Sequence, residues 1–301
     1  GLLEILFAYT DTYFFLLSIR GLQGLIIPAV LTSLMSYISF ITPKDRVQQA
    51  IGYYIGATIL GGFLGRLLSG FLSDMFGWRL FFILLGIVLI VMFFCLNYLS
   101  EEVNVDFVKP RFSQIVNVVK NKLFFNIYVM MFFIFFVFQA LLNFLPFQLT
   151  TLGQSVGFGK IGLMYAGYIV GFIISIRILK LIHFFHGEVR TIIAGIMIYA
   201  LGTLVFYVND YMVMFFGMFV FCGGFFIIHS VASGLIGKFA HEKRAISNGL
   251  YISFYYAGGT LGSFAPGVFY EYLGWHVFIS LLVMIILSTL FFAMQIKKYM
   301  V

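Results

Sequence analysis

"GYYIGATILGGFLGRLLSGFLSDMFGWRLF" (residues 52–81) and "GLYISFYYAGGTLGSFAPGVFYEYLGWHVF" (residues 249–278) align without a gap at an offset of 197, with eleven identities in thirty positions. Chance in so biased a chain supplies roughly two or three. Six glycines coincide: Gly52, Gly61, Gly62, Gly65, Gly70 and Gly77 face Gly249, Gly258, Gly259, Gly262, Gly267 and Gly274, and Trp78 faces Trp275. Glycine costs helix stability unless it serves close packing, so these positions mark two copies of one structural unit. The register extends outward, with "DRVQQ" (45–49) facing "EKRAI" (242–246) and the Thr10–Phe14 turn facing Tyr207–Tyr211. The chain reads as an internal duplication.

Composition sets the solvent. The 301 residues are 62% hydrophobic and 10% charged, with a mean hydropathy of +1.07, against about half apolar and a quarter charged in soluble domains. Forty phenylalanines in a soluble core would need polar elements to cover them, and no sufficiently long polar stretch exists. Apolar runs at 13–40, 48–73, 78–99, 123–149, 161–182, 189–208, 211–238, 247–272 and 275–296 are each long enough to cross a hydrocarbon layer of about 30 Å. That predicts nine spans and an N-terminal stub in an all-α membrane protein. The breaks between them, such as "TPKDRVQQ" (42–49), "EEVNVDFVKPRF" (101–112) and "AHEKRAIS" (240–247), are too short to hold a soluble domain.

Short cytoplasmic loops retain Lys and Arg. One set of alternate loops, with the C-terminal tail, carries Lys44, Arg46, Lys109, Arg111, Lys120, Lys122, Lys180, Arg190, Lys238, Lys243, Arg244, Lys297 and Lys298, whereas the other carries Arg79 and Lys160. The first set is expected to be cytoplasmic. The net charge of +7 then follows from topology and needs no nucleic-acid partner. Both tryptophans are expected at the outer interface, where amphipathic rings sit.

The offset also places the counterparts of spans 123–149 and 161–182 at negative numbers, and that of 189–208 across residue 1. The expectation is that about 75 or more residues precede Gly1 and that the intact protein has two six-helix halves. In this chain the first two helices and part of the third are then missing. Residues 1–99 hold the end of helix 3 and helices 4–6, residues 100–122 form a cytoplasmic linker, and residues 123–301 hold helices 7–12.

These residues resemble the major facilitator superfamily. "LLSIRGLQG" (16–24) is similar to its fourth-helix motif through Leu16, Arg20, Gln23 and Gly24, with Ile26 in place of a small residue. The fifth-helix antiporter signature is recognisable as Gly52, Gly61–Gly62 and Gly65–Arg66, with glycine for proline and arginine for the last glycine. "GLYISFYYAGGTLG" (249–262) and "FIIHSVASGLIGK" (226–238) are similar to the acriflavine-sensitivity branch of drug exporters. The resemblance implies an alternating-access transporter, a monomer without cofactor, that exports a small lipophilic or cationic compound against protons. Uptake of a small organic metabolite is the alternative, and a non-transporting sensor is disfavoured.

Residues 65–79 also match the pattern Gly-x-Leu-x-Asp-x-x-Gly-x-Arg through Gly70, Leu72, Asp74, Gly77 and Arg79. The cation count places this copy on the outer side, as a turn between two helices. Asp74 is read there as an interfacial cap, with an outer gate latch as the alternative. No Gly-Lys-Ser/Thr follows, so it is not a phosphate loop.

Charges inside spans are costly and usually functional. Glu4, Arg20 and Arg66 lie seven to nine residues inside the turns at Asp11 and Asp74, a common depth of roughly 10–14 Å at 1.5 Å per residue. They are candidates for one coupling network in which Glu4 pairs with Arg20 or Arg66; otherwise the arginines only fasten helices through carbonyls. The resemblance draws the substrate cavity from the fourth, seventh and tenth helices, which carry Gln23, Gln139, Asn143, His229 and Ser233. Tyr251, Phe254, Tyr255 and Tyr256 offer an aromatic wall or plain packing, and Gly61, Gly62, Gly65, Gly258, Gly259 and Gly262 are read as helix-packing positions. His183 and His186 lack a carboxylate or Cys partner for a metal, and Cys95 and Cys222 lie in separate spans. No nucleophile–base constellation appears, so no enzymatic activity is expected.

Overall fold

The computed structural model describes residues 1–42, 47–96, 112–152, 157–240 and 244–300. Most of the expected linker, residues 100–111, lies outside them. Among the described residues all regular structure is helical: α1 (Leu2–Ala8), α2 (Tyr13–Ile41), α3 (Val47–Phe76), α4 (Trp78–Leu96), α5 (Phe112–Val119), α6 (Lys122–Thr151), α7 (Phe158–Met164), a 3-10 turn (Tyr165–Gly167), α8 (Tyr168–Phe184), α9 (Glu188–Val205), α10 (Tyr211–Phe239), α11 (Arg244–Phe264) and α12 (Gly267–Tyr299).

Among the described residues eight helical segments are, by length and composition, long and apolar enough to cross a membrane, against nine expected spans. The difference is α11, whose 21 residues include Ser247, Asn248, Ser253 and Ser263 and stop at Phe264. The expected span 247–272 is therefore corrected. Pro266 has no N–H and cannot continue a helix from below, so it caps α12, which restarts at Gly267. Its counterpart in the repeat is Ser69, and α3 accordingly runs on without a break to Phe76.

Chain packing divides the molecule into two compact units, Gly1–Phe107 with Val156–Tyr165, and Val108–Ser155 with Ala166–Val301. In the first unit α1 packs on α4, α3 lies against α2, α4 and α7, and Gly86 admits α1 so closely that a Cβ there would stand 2.6 Å from Ile5 Cγ1. In the second unit α6 and α10 form the buried centre, with Tyr128, Ile134, Leu141, Phe221 and Phe225 nearly inaccessible. Around them α9 and α8 pack on α10, α11 on α6, and α12 on both α6 and α9. The pairing of α1 with α4 has its repeat counterpart in the pairing of α9 with α12.

Both copies turn at the same glycine. Gly77 (φ 83°) and Gly274 (φ 81°) occupy the left-handed region that side chains avoid, which explains why this position survives in both halves of the repeat. The helix-packing glycines part company. Gly258 and Gly262 press α11 onto the Phe132 and Phe136 carbonyls of α6, and Gly259 meets the Phe135 ring. Gly61 and Gly65 of α3 face open space within 4 Å, and Gly62 is half-buried.

Candidate functional site

In the first unit the sequence places Arg20 two turns into α2 and Gln23 one turn later on the same face. Arg20 Nη1 donates to Gln23 Oε1 at 2.7 Å and lies 3.4 Å from Glu4 Oε1. The shorter contact marks Gln23 as the tighter partner of the guanidinium. The guanidinium also covers the Phe7 ring at 4.0 Å and the Phe82 ring at 4.9 Å, an arrangement that favours a cation against aromatic faces. Gln23 is 6% exposed and the Glu4 side chain 12%, against 41% for Arg20. Glu4 Oε2 and Gln23 Nε2 are buried with no hydrogen-bond partner. Unsatisfied buried polar atoms are rare and mark functional or strained places.

Arg66 stands apart from this cluster. Its Nη1 donates to Gly62 O at 3.3 Å, one turn back in α3, and its guanidinium lies 5.1 Å from the Tyr165 ring centroid. The structure thus brings together Glu4, Arg20 and Gln23 and leaves Arg66 with Tyr165.

Two turns further along the same face of α3, the Asp74 carboxylate accepts from the backbone N–H groups of Phe158 (2.7 Å) and Gly159 (2.5 Å) at the start of α7. Between these points the Gly70 backbone meets the Phe158 carbonyl, and a Cβ on Gly162 would stand 2.9 Å from Arg66 O. Asp74 therefore caps a different helix rather than its own turn. Beside it Arg79 pairs with Asp11 and lies 4.7 Å from the Trp78 ring centroid.

The second unit carries the other candidates. His229 Nδ1 lies 2.9 Å from Tyr251 Oη, its ring is parallel to Phe225 at 5.9 Å, and Tyr255 stands 5.1 Å away. Tyr255 in turn stacks on Phe135 at 3.6 Å, and Phe138 stacks on Phe225 at 3.9 Å. Asn143 Nδ2 donates to Gln139 O at 2.8 Å and to Ser263 Oγ at 3.4 Å, linking α6 to α11. Ser233 turns back to Ser230 O at 3.2 Å and does not meet His229. Of the expected aromatic wall, Tyr251 and Tyr255 join His229, Phe254 stacks on Tyr128, and Tyr256 is 51% exposed.

The sequence reading did not single out the aromatic column of Phe135, Phe138, Phe221 and Phe225. Its signal is the four-residue spacing Phe221, Phe225, His229 along one face of α10. Trp275 is 5% exposed, with Nε1 donating to Phe206 O at 2.7 Å.

Long apolar helices, glycines at close helix contacts and a charged cluster between α1 and α2 define a multi-pass membrane protein. The chain belongs to the Major Facilitator Superfamily, whose family model matches residues 1–183. It is similar to an uncharacterized transporter of Buchnera aphidicola subsp. Schizaphis graminum (26% identity, over 99% of this chain and 73% of the relative). It is likewise similar to the MFS-type transporter YybF of Bacillus subtilis (24%, 94% and 71%) and to the inner membrane transport protein YnfM of Escherichia coli (27%, 90% and 67%). It is a transporter of this superfamily and not an enzyme.

Proposed function

We propose that the chain is a secondary transporter that works by alternating access and exports a small lipophilic or cationic compound in exchange for protons. The observation that carries this reading is the Glu4–Arg20–Gln23 cluster, a carboxylate inside a membrane protein with one oxygen paired and the other buried without a partner. A proton on Glu4 removes the charge that faces Arg20 and weakens that contact, which gives proton binding a mechanical consequence between α1 and α2. Arg66, over Tyr165, acts in the same half as a second fastening point.

Gln23, Gln139, Asn143, His229 and Ser233 are assigned to the solute path, with Tyr251 and Tyr255 as aromatic surface for a flat or cationic solute. Of the expected helix-packing glycines, Gly258, Gly259 and Gly262 let α11 lie at close range on α6, whereas Gly61 and Gly65 touch nothing within 4 Å. Residues 1–99 and 123–301 are assigned to two halves joined by a cytoplasmic linker at 100–122. The cation asymmetry of the loops favours a cytoplasmic C-terminus in a bacterial inner membrane; the relative YnfM is an inner membrane transport protein of Escherichia coli.

The test is uptake of a panel of fluorescent lipophilic cations into everted inner-membrane vesicles. Accumulation driven by respiration that collapses on adding a protonophore supports export. Absence of accumulation across the panel, with solute entry into intact cells instead, overturns the direction and favours uptake.

A further inference from the structure

At one end of the second unit, the start of α6 and the end of α12 enclose an open cavity of about 470 Å³. Lys120 and Lys122 line it on one side, Gln295 and Tyr299 on the other, and Phe125 and Phe291 form its apolar wall. A neighbouring cavity of about 390 Å³ shares Lys122 and Tyr299. Lys122 Nζ lies 5.7 Å and Lys298 Nζ 6.0 Å from the centroid of the same Tyr299 ring, and Lys297 precedes Lys298 in the sequence. Among the described residues none of these four lysines has a carboxylate within ion-pair distance, and no carboxylate lines either cavity. The contrast is Lys238 at the end of α10, which has Glu188 at 2.8 Å. An open recess lined by Lys120 and Lys122, with no carboxylate in its described lining, suits an anion.

The wall identifies its kind. Phe125 and Phe291 are 43% and 56% exposed, so the cationic mouth continues directly into apolar surface on membrane-spanning helices. A free phosphate has no use for that surface, whereas an acyl chain does. Basic recesses between transmembrane helices take anionic headgroups for this reason.

We propose that this recess binds the phosphate of an anionic phospholipid, whose acyl chains lie along Phe125 and Phe291. The site is separate from the Glu4–Arg20 cluster and does not depend on the direction of transport.

The experiment is a native mass-spectrometric titration of the purified full chain in mild detergent with dioleoylphosphatidylglycerol, with dioleoylphosphatidylcholine as comparison. The anionic lipid is expected to bind tightly and the zwitterionic one weakly. A lysine near a lipid headgroup contributes roughly fivefold, so Lys120→Gln with Lys122→Gln should weaken the anionic lipid by roughly twentyfold or more. Lys120→Arg with Lys122→Arg should retain it, and Arg177→Gln with Lys180→Gln, elsewhere on α8, should leave it unchanged. Equal binding of both lipids, or an equal loss in the α8 variant, overturns the site. Competition by glycerol 3-phosphate at the same concentration as the lipid overturns the lipid as occupant. Should the glutamine pair not elute as a single species, a salt titration of the unaltered protein decides: anionic-lipid affinity falls steeply with sodium chloride if the lysines hold it, and a flat response refutes the proposal.

Discussion

Glu4 is held by geometry that leaves it half satisfied, and this is where single substitutions should speak most clearly. Glu4→Gln imitates the protonated carboxyl and abolishes the ionic contact with Arg20 at 3.4 Å. Dye accumulation in everted vesicles should fall at least tenfold while the protein level in the membrane stays constant; unaltered accumulation would remove Glu4 from the coupling mechanism. Arg20→Lys should be nearly as damaging. A lysine cannot reach Gln23 and Glu4 with one planar fork while lying flat on Phe7 and Phe82. The pairing of His229 with Tyr251 belongs to the same scale. Neither residue announced the other in the sequence, because the contact depends on how α10 and α11 are rotated against one another.

For the helices, the repeat supplies its own control. Gly65 and Gly262 are counterparts, yet a Cβ at Gly262 would collide with the Phe136 carbonyl of α6, and one at Gly65 meets nothing within 4 Å. Gly262→Val should lower the apparent thermal unfolding midpoint in detergent, with an overpacking cost of roughly 1–3 kcal/mol. Gly65→Val should leave the midpoint within error, and equal losses would contradict the packing described. The seam between α3 and α7 makes a second prediction. Asp74→Ala removes both bonds to the Phe158 and Gly159 N–H groups, at a cost typical of a lost helix cap, roughly 1 kcal/mol. Limited proteolysis should then cut near residue 157 sooner than in the unaltered chain, with Asp74→Asn intermediate because its amide oxygen still accepts one bond.

Across the whole molecule, the assigned orientation is testable without any substrate. Green fluorescent protein fused after Val301 should fluoresce, because a cytoplasmic C-terminus lets it fold, and alkaline phosphatase fused at the same point should be inactive. The opposite pattern would reverse every assignment of face. Unlike the transport assay, this measurement concerns only the cation asymmetry of the loops.

What the residues determined unaided were properties that are local or repeated. Hydropathy placed most of the helices, the 197-residue offset exposed the duplication, and the paired glycines marked the turn at Gly77 and Gly274, where only a residue without Cβ is comfortable. The Glu4 contact with Arg20 lay within reach of a depth argument, but the preference for Gln23 and the separation of Arg66 did not. The capture of the α7 start by Asp74, the burial of Trp275, the meeting of His229 with Tyr251 and the end of α11 at Phe264 emerged only from the folded chain. The reason is physical. In lipid every face of a helix is apolar enough to be tolerated, so hydropathy does not say which face turns inward. Rotation and register are decided by which side chains and small residues interdigitate, and that is a property of pairs of helices rather than of either one alone.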